Sequence, residues 1–445
     1  RADGNRYGMN IFSSYTLVIF LACTVILSYL FNVISKKTKI PSVLLLILTG
    51  IAVKQVMIVA EVPAQNWFPI LEVLGIVGLI MIVLEAALDL ELTKEKAPLI
   101  LRSFAVALFG LLLSTGVCAM IIHFFIEVSN SQAVLYAIPL AIISSAIVIP
   151  SVGHMVADKK EFLIYEGTFS DILGIMFFYF LVGAMEAPAG ENVLLSAGGN
   201  LLITIGLSFL LSYLLILVFH RLSGQVKLFL LISVLILLYA VGKQFHLSSL
   251  LIILVFGLIL NNHKLFFRGP LANQIKEETI LAILSNFKVV TLETSFVVRT
   301  FFFIIFGLSI ALSALFNIEV FLISLCIIVA LYMVRFLVLK IFSSSKVDDF
   351  LFIAPRGLIT ILLFYSIPIQ FESSDFDTGI LLYVILISSG LMSWALIRAD
   401  KKDVFETVLE EVRVEHENPP EAELNPAPST DSETEAEDSN SEKTE

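Results

Sequence analysis

The stretch AIISSAIVIPSVGHM, Ala141–Met155, decides how this chain is read. It lies within an apolar segment long enough to cross a bilayer, yet it carries two serines and a proline. Pro150 removes a backbone hydrogen bond in mid-span, and Ser144 and Ser145 supply hydroxyls beside the gap. A second stretch of the same kind, FLFIAPRGLITILLFYSIP at Phe350–Pro368, sets Pro355 and Gly357 on either side of Arg356. Two interrupted spans in corresponding positions of a chain's halves point to inverted repeats with two crossing broken helices. Unwound backbone at that depth is tolerated only where it is buried or wet, and its carbonyls can then ligate a cation.

The rest of the chain fits that frame. It has 445 residues, 58% of them hydrophobic, and a mean hydropathy of +0.94. Soluble domains run nearer 45–50% apolar, so this is an all-α polytopic membrane protein. Hydropathy and loop punctuation predict thirteen spans, roughly 11–34, 41–60, 69–90, 98–125, 132–156, 162–185, 197–220, 226–242, 247–261, 293–313, 318–341, 350–369 and 378–398. Between the ninth and tenth, LANQIKEETILAILSNFKVV is apolar but interrupted, and suits an interfacial amphipathic helix.

Charge supports the count. Alternate loops divide Lys and Arg into a set of eighteen, among them Lys36, Lys37, Lys39, Lys94, Lys96, Lys159 and Lys340, against Lys54, Lys243, Arg1 and Arg6. A miscounted span would have mixed the two sets. The asymmetry places the N-terminus outside and the C-terminal tail in the cytoplasm; the expected location is a bacterial-type inner or plasma membrane. The net charge of −11 belongs to that tail. From Val404 onward 14 acids face Arg413 and Lys443, and residues 1–403 carry a net +1. Such a segment buries too little apolar surface to order itself. The expected organisation is an N-terminal extension at 1–10, a transmembrane domain at 11–403 and an acidic disordered tail at 404–445, with residues 1–8 left out of the fold reading. Cys23, Cys118 and Cys326 lie in apolar spans as small hydrophobes, without metal or disulfide spacing.

Few ionisable residues remain at depth: Glu166, Asp171, Arg299, Arg335, Arg356, and Glu85 near the end of the third span. A lone charge at the bilayer centre costs at least ~2.5–3.5 kcal/mol, so each should pair or face a wet cavity. Glu166 and Asp171 stand five residues apart in YEGTFSDILGI, about 140° around a helix and about 7.5 Å along it. They face different neighbours, which argues for two roles. Arg335 is close enough to the end of its span to snorkel towards Lys340, and His154 reads as a loop residue.

These residues resemble the monovalent cation:proton antiporters, a superfamily that includes sodium/proton exchangers and potassium-efflux antiporters. LEAALDLEL in the third span is similar to the family's acidic-Gly-Gly-Leu stretch, with Ala86 and Ala87 in place of glycines. EGTFSD in the sixth resembles the E-x-x-x-N-D pattern, with Ser170 where the Asn usually stands. FFFIIFGLSI in the tenth is like a Phe-rich stretch before a Gly-Leu turn, and PRGLIT in the twelfth is similar to an Arg-Gly motif. SSAIVI in the fifth looks more like the potassium-efflux branch.

The resemblance implies secondary active exchange of Na+ or K+ for protons by alternating access, one for one and electroneutral, in a homodimer serving pH homeostasis. It makes Asp171 the ion- and proton-binding carboxylate, helped by Ser170, Ser144 and Ser145. It pairs Glu166 with Arg356 as a structural ion pair, and makes Arg299 a possible modulating charge. No cofactor, nucleic acid or enzymatic activity is expected. The other readings are a sodium-coupled organic solute symporter of related fold, which needs a roomier polar cavity, a membrane enzyme, which should show clustered catalytic or metal residues, and a channel, which should show a filter loop.

Overall fold

In the computed structural model the described residues are 14–60, 68–153, 155–186, 193–221, 227–244, 249–267, 277–310, 316–342, 347 and 350–417. The predicted extension at 1–10, His154 and the tail beyond 417 lie outside them. Among these residues fifteen α-helices run in order: α1 Ser14–Thr38, α2 Ser42–Val59, α3 Phe68–Asp89, α4 Ala97–Phe125, α5 Asn130–Ala141, α6 Ser145–Ser151, α7 Ala157–Glu186, α8 Val193–Arg221, α9 Lys227–Gln244, α10 Ser249–Asn261, α11 His263–Phe266, α12 Glu277–Ser309, α13 Ile318–Phe342, α14 Leu358–Phe364 and α15 Gly379–Glu417. Each of the thirteen predicted spans has its counterpart. Among the described residues, eight helical segments are long and apolar enough to cross a membrane, and shorter apolar helices lie at Leu202–Val218, Leu228–Gly242 and Ser249–Asn261. This is an integral membrane protein.

Arg1–Arg398 forms one compact unit and Ala399–Glu445 a second. Helix α15 reaches Glu417, so the domain boundary set at 403 from the sequence falls inside this helix. The expected interfacial helix is corrected. Its residues from Glu277 onward are the first half of α12, one helix continuous to Ser309. No proline interrupts that stretch, so nothing ends the helix.

Packing divides the first unit into two groups. Helix α4 packs on α5, α7 and α13, while α12 packs on α2 and α3, and α10 on α8 and α3. The α2–α12 crossing is close because Gly50 meets Gly307. A Cβ on either would overlap backbone of the other helix, at Ile304 O or Ile47 O.

The fifth span breaks, but not at its proline. Helix α5 starts at a capping box in which Ser129 accepts from Gln132 N and the Gln132 side chain returns to Ser129 N. It stops at Ala141, and the chain runs extended through Ile142 (ψ 132°) and Ser144 (ψ 109°) before α6. Pro150 sits inside α6, six residues past the break. The twelfth span does break where Pro355 and Gly357 predict: residues 353–357 are non-helical and α14 starts at Leu358.

The two breaks meet. Ser144 N donates to Pro355 O at 2.9 Å. A Cβ on Gly357 would stand 3.0 Å from Ser144 Oγ and 2.5 Å from Ile147 Cδ1, so only glycine lets the two segments cross this closely.

Candidate functional site

Breaking a helix in hydrocarbon exposes backbone groups that must find partners, at about 1–3 kcal/mol for each one left buried and unsatisfied. The site is built from those partners. On the fifth span, Ile143 N donates to Ser170 Oγ at 2.9 Å, and Ser145 N donates to Asp171 Oδ2 at 3.0 Å. The Ser145 hydroxyl donates to the same carboxylate oxygen. The carbonyls released before the break are covered by Arg356, whose Nε donates to Leu140 O at 3.1 Å and Nη2 to Ala141 O at 3.5 Å. Its Nη1 donates to Ala354 O at 2.5 Å.

The twelfth span is treated the same way by a different arginine. Arg335 of α13 donates to Phe350 O, Leu351 O and Ile353 O at 2.9–3.3 Å. The same guanidinium grips Glu166, with Nη1 at 2.5 Å from Oε1 and Nη2 at 3.1 Å from Oε2. Both side chains are almost wholly buried, at 5% and 2% exposed.

This corrects the expected pairing of Glu166 with Arg356. Both Glu166 oxygens are bound by Arg335, and Arg356 spends its donors on carbonyls. The physical reason is location. Arg356 lies on the extended segment that crosses the fifth span, beside carbonyls that need a donor. Arg335 lies on α13 opposite α7, where it reaches the carboxylate and the twelfth span's carbonyls together. Arg335 is therefore a buried hub, not a snorkelling residue. Its Nε and both Nη atoms are occupied by acceptors a snorkelling arginine would leave to water. Glu166 and Arg356 do share a cavity of about 20 Å³ with Ser114 and Ser170, room for one water molecule.

The predicted ion-binding residues come together. Asp171, Ser170, Ser144 and Ser145 are buried, at 1–2% exposed. Their roles divide. Ser170 Oγ is taken by Ile143 N, so it holds the broken backbone. Two other oxygens, Asp171 Oδ1 and Ser144 Oγ, are buried without a hydrogen bond among the described residues. No cationic side chain is ion-paired to Asp171 among the described residues.

Arg299 is elsewhere, on α12. It lines a cavity of about 440 Å³ together with Glu85, Glu293, Lys36, Asn32 and Ser145. The last of these connects the cavity to the Asp171 carboxylate. Glu85 Oε2 is a further buried oxygen without a hydrogen bond among the described residues. Beside the membrane part, Lys96 donates to Glu161 at 2.8 Å, and that bond holds the ammonium above its ordinary pKa. Sequence reasoning missed Glu293, taken as the start of a span, and Ser388 of α15, whose hydroxyl accepts from Arg356 N at 3.0 Å. The depth of Glu293 was hidden by placing its helix's start too late. Nothing local marks Ser388.

Comparison with known proteins bears on the fold and the family. No curated protein matches the chain. Among solved structures the chain is similar to the sodium proton antiporter MjNhaP1 from Methanocaldococcus jannaschii at pH 8, with a TM-score of 0.60 and 22% identity over 86% of this chain and 95% of that one. An electron-microscopy structure of the same antiporter gives a TM-score of 0.61 and 19% identity, over 89% and 98%. These likenesses establish the antiporter fold. Residues 19–397 match the family described as "Sodium/hydrogen exchanger, transmembrane". The chain thus belongs to the sodium/hydrogen exchanger family and is a cation:proton antiporter.

Proposed function

We propose that the chain exchanges sodium for protons at Asp171, one for one and by alternating access. The observation that carries this reading is the state of the carboxylate. It is buried and one oxygen is held by Ser145; among the described residues the other has no hydrogen bond and no cation is paired with it. A carboxylate in such a place is costly while bare. It favours whichever partner neutralises it, and a proton and a sodium ion both do. Hard cations take oxygen ligands, and Asp171 Oδ1 with Ser144 Oγ offers two at the break. Only the neutral forms, protonated or sodium-loaded, cross a low-dielectric barrier cheaply. Coupling follows from that cost.

In this reading Ser145 positions the carboxylate, Ser170 fixes the unwound backbone, and the Glu166–Arg335 pair with Arg356 holds the two breaks in register. The cavity containing Arg299 and Glu85 is the wet path to the site, and Arg299 is a fixed charge along it. The set of eighteen basic residues supports a cytoplasmic tail, and the likeness to the family supports a homodimer.

The test uses proteoliposomes with an inside-acid pH gradient and a lumenal pH dye. Sodium, lithium, potassium or choline is added in turn to wild type and to Asp171→Asn. Alkalinisation by sodium, lost in the variant, is the expected result. Response to potassium alone would reassign the ion, and full activity in the variant would remove Asp171 from the mechanism.

A further inference from the structure

Buried serines on these helices commonly satisfy themselves. Ser208, Ser212, Ser324 and Ser393 each donate to the carbonyl four residues back on their own helix. Two hydroxyls on α12 do not. Thr291 and Ser295 are buried, at 1% and 0% exposed, and their oxygens have no hydrogen bond among the described residues. A buried polar atom left in that state costs stability, so the pair calls for a use.

Thr291 and Ser295 lie one turn apart on the face of α12 that also carries Lys288 and Arg299. This face meets α3. Ser295 and Arg299 stand beside Glu85, and Lys288 stands beside Asp89. The two helices therefore run antiparallel here, and Thr291 falls level with the turn between the two acids. Glu85 Oε2 is buried without a hydrogen bond, and neither acid is ion-paired among the described residues. Asp89 ends α3 and is exposed. Glu85 lines the cavity that also reaches Ser145, which holds Asp171. The row Asp89, Thr291, Ser295, Glu85 thus spans about 10 Å of helix, from solvent to the cavity. The charged groups around it are Arg299, Glu293 and Lys36 across the cavity, with Lys288 and Glu91 at the far end.

We propose that this row is a proton relay, carrying protons between solvent at the end of α3 and the cavity beside Asp171, while sodium passes through the cavity itself. The relay deepens the exchange proposed at Asp171 and rests on it. A proton taken up by Asp89 passes through Thr291 and Ser295 to Glu85. Each hydroxyl accepts one proton on its oxygen and releases its own, so one proton moves and no group is consumed. From Glu85 the proton crosses the cavity to Asp171, and release runs in reverse. Exchange needs the proton to leave as sodium arrives, and two positive charges in one passage repel. A row of neutral hydroxyls lets them pass on separate lines.

Sodium/sodium exchange through the same site moves no proton, so it separates the two lines. Full-length protein carrying Ser295→Ala or Thr291→Val is compared with wild type in proteoliposomes. Sodium/proton exchange is read with a lumenal pH dye, and sodium/sodium exchange with labelled sodium. Ser208→Ala, which removes a buried hydroxyl bonded within its own helix, is the control.

Both relay variants should keep the wild-type unfolding midpoint, since neither hydroxyl carries a hydrogen bond among the described residues. Their maximal rate of sodium/proton exchange should fall about tenfold, the worth of one hydrogen bond on the barrier. Sodium/sodium exchange should hold, and Ser208→Ala should leave both modes unchanged. Equal losses in both modes would put the hydroxyls on the sodium path or in the fold and overturn the relay. Undiminished sodium/proton exchange would overturn it as well, because protons would then take the cavity. Failure of the underlying reading shows separately, as exchange retained in Asp171→Asn.

Discussion

The exchange of partners at Glu166 has a consequence in energies. Replacing Arg335 by Met removes both bonds to a buried carboxylate and the donors to Phe350 O, Leu351 O and Ile353 O. Breaking a buried pair from one side costs about 3–5 kcal/mol, and each carbonyl left without a donor adds up to about 1–3 kcal/mol where water cannot reach it. Arg335→Met should therefore lose at least about 5 kcal/mol. Glu166→Gln is milder. It also breaks the pair from one side and leaves a buried guanidinium without its counter-charge, so it should lose about 3–5 kcal/mol, less than Arg335→Met because the three carbonyls keep their donor. In a double-mutant cycle read by equilibrium unfolding in mixed detergent, Glu166 and Arg335 should couple by about 2–3 kcal/mol. Glu166 and Arg356 share no hydrogen bond and should couple by less than about 1 kcal/mol. Stronger coupling to Arg356, or equal losses for Glu166→Gln and Arg335→Met, would refute the reasoning.

Other substitutions separate the roles of the site residues. Ser170→Ala leaves Ile143 N–H without its acceptor and should cost about 1–3 kcal/mol of stability, with a smaller effect on the sodium KM of folded protein than Ser144→Ala. Ser144→Ala removes an oxygen that carries no hydrogen bond among the described residues, so the unfolding midpoint should hold while the sodium KM rises several-fold; an unchanged KM would exclude Ser144 as a ligand. Gly357→Ala drives a Cβ into Ile147 and Ser144 and should destabilise by about 1–3 kcal/mol, relieved in part by Ile147→Ala.

Much of this was legible in the sequence, and the failures have physical causes. Span count followed from apolar length and alternating loop charge, which act locally. The twelfth break was legible because Pro355 and Gly357 flank it. The fifth was located only to the serines: Pro150 fits inside α6, and the break at Ile142–Ser144 is held by partners on α7 and on the extended segment. No local pattern encodes those. The pairing of Glu166 failed for a similar reason. Two arginines stood on neighbouring elements, and which one reached the carboxylate depended on which carbonyls each also had to cover. The first half of α12 was misread because an amphipathic stretch beside an apolar one looks interfacial until the helix is seen to continue.

The claim at the centre is that one carboxylate binds either a proton or a sodium ion. The sodium KM of proton efflux, measured in proteoliposomes as the pH on the sodium side is lowered, tests it most directly. Competition at one group predicts that KM climbs towards about tenfold per pH unit on the acidic limb, the limit for one linked proton, while the maximal rate at saturating sodium holds. A KM that stays constant while the maximal rate falls would place proton and sodium on different groups and contradict the account.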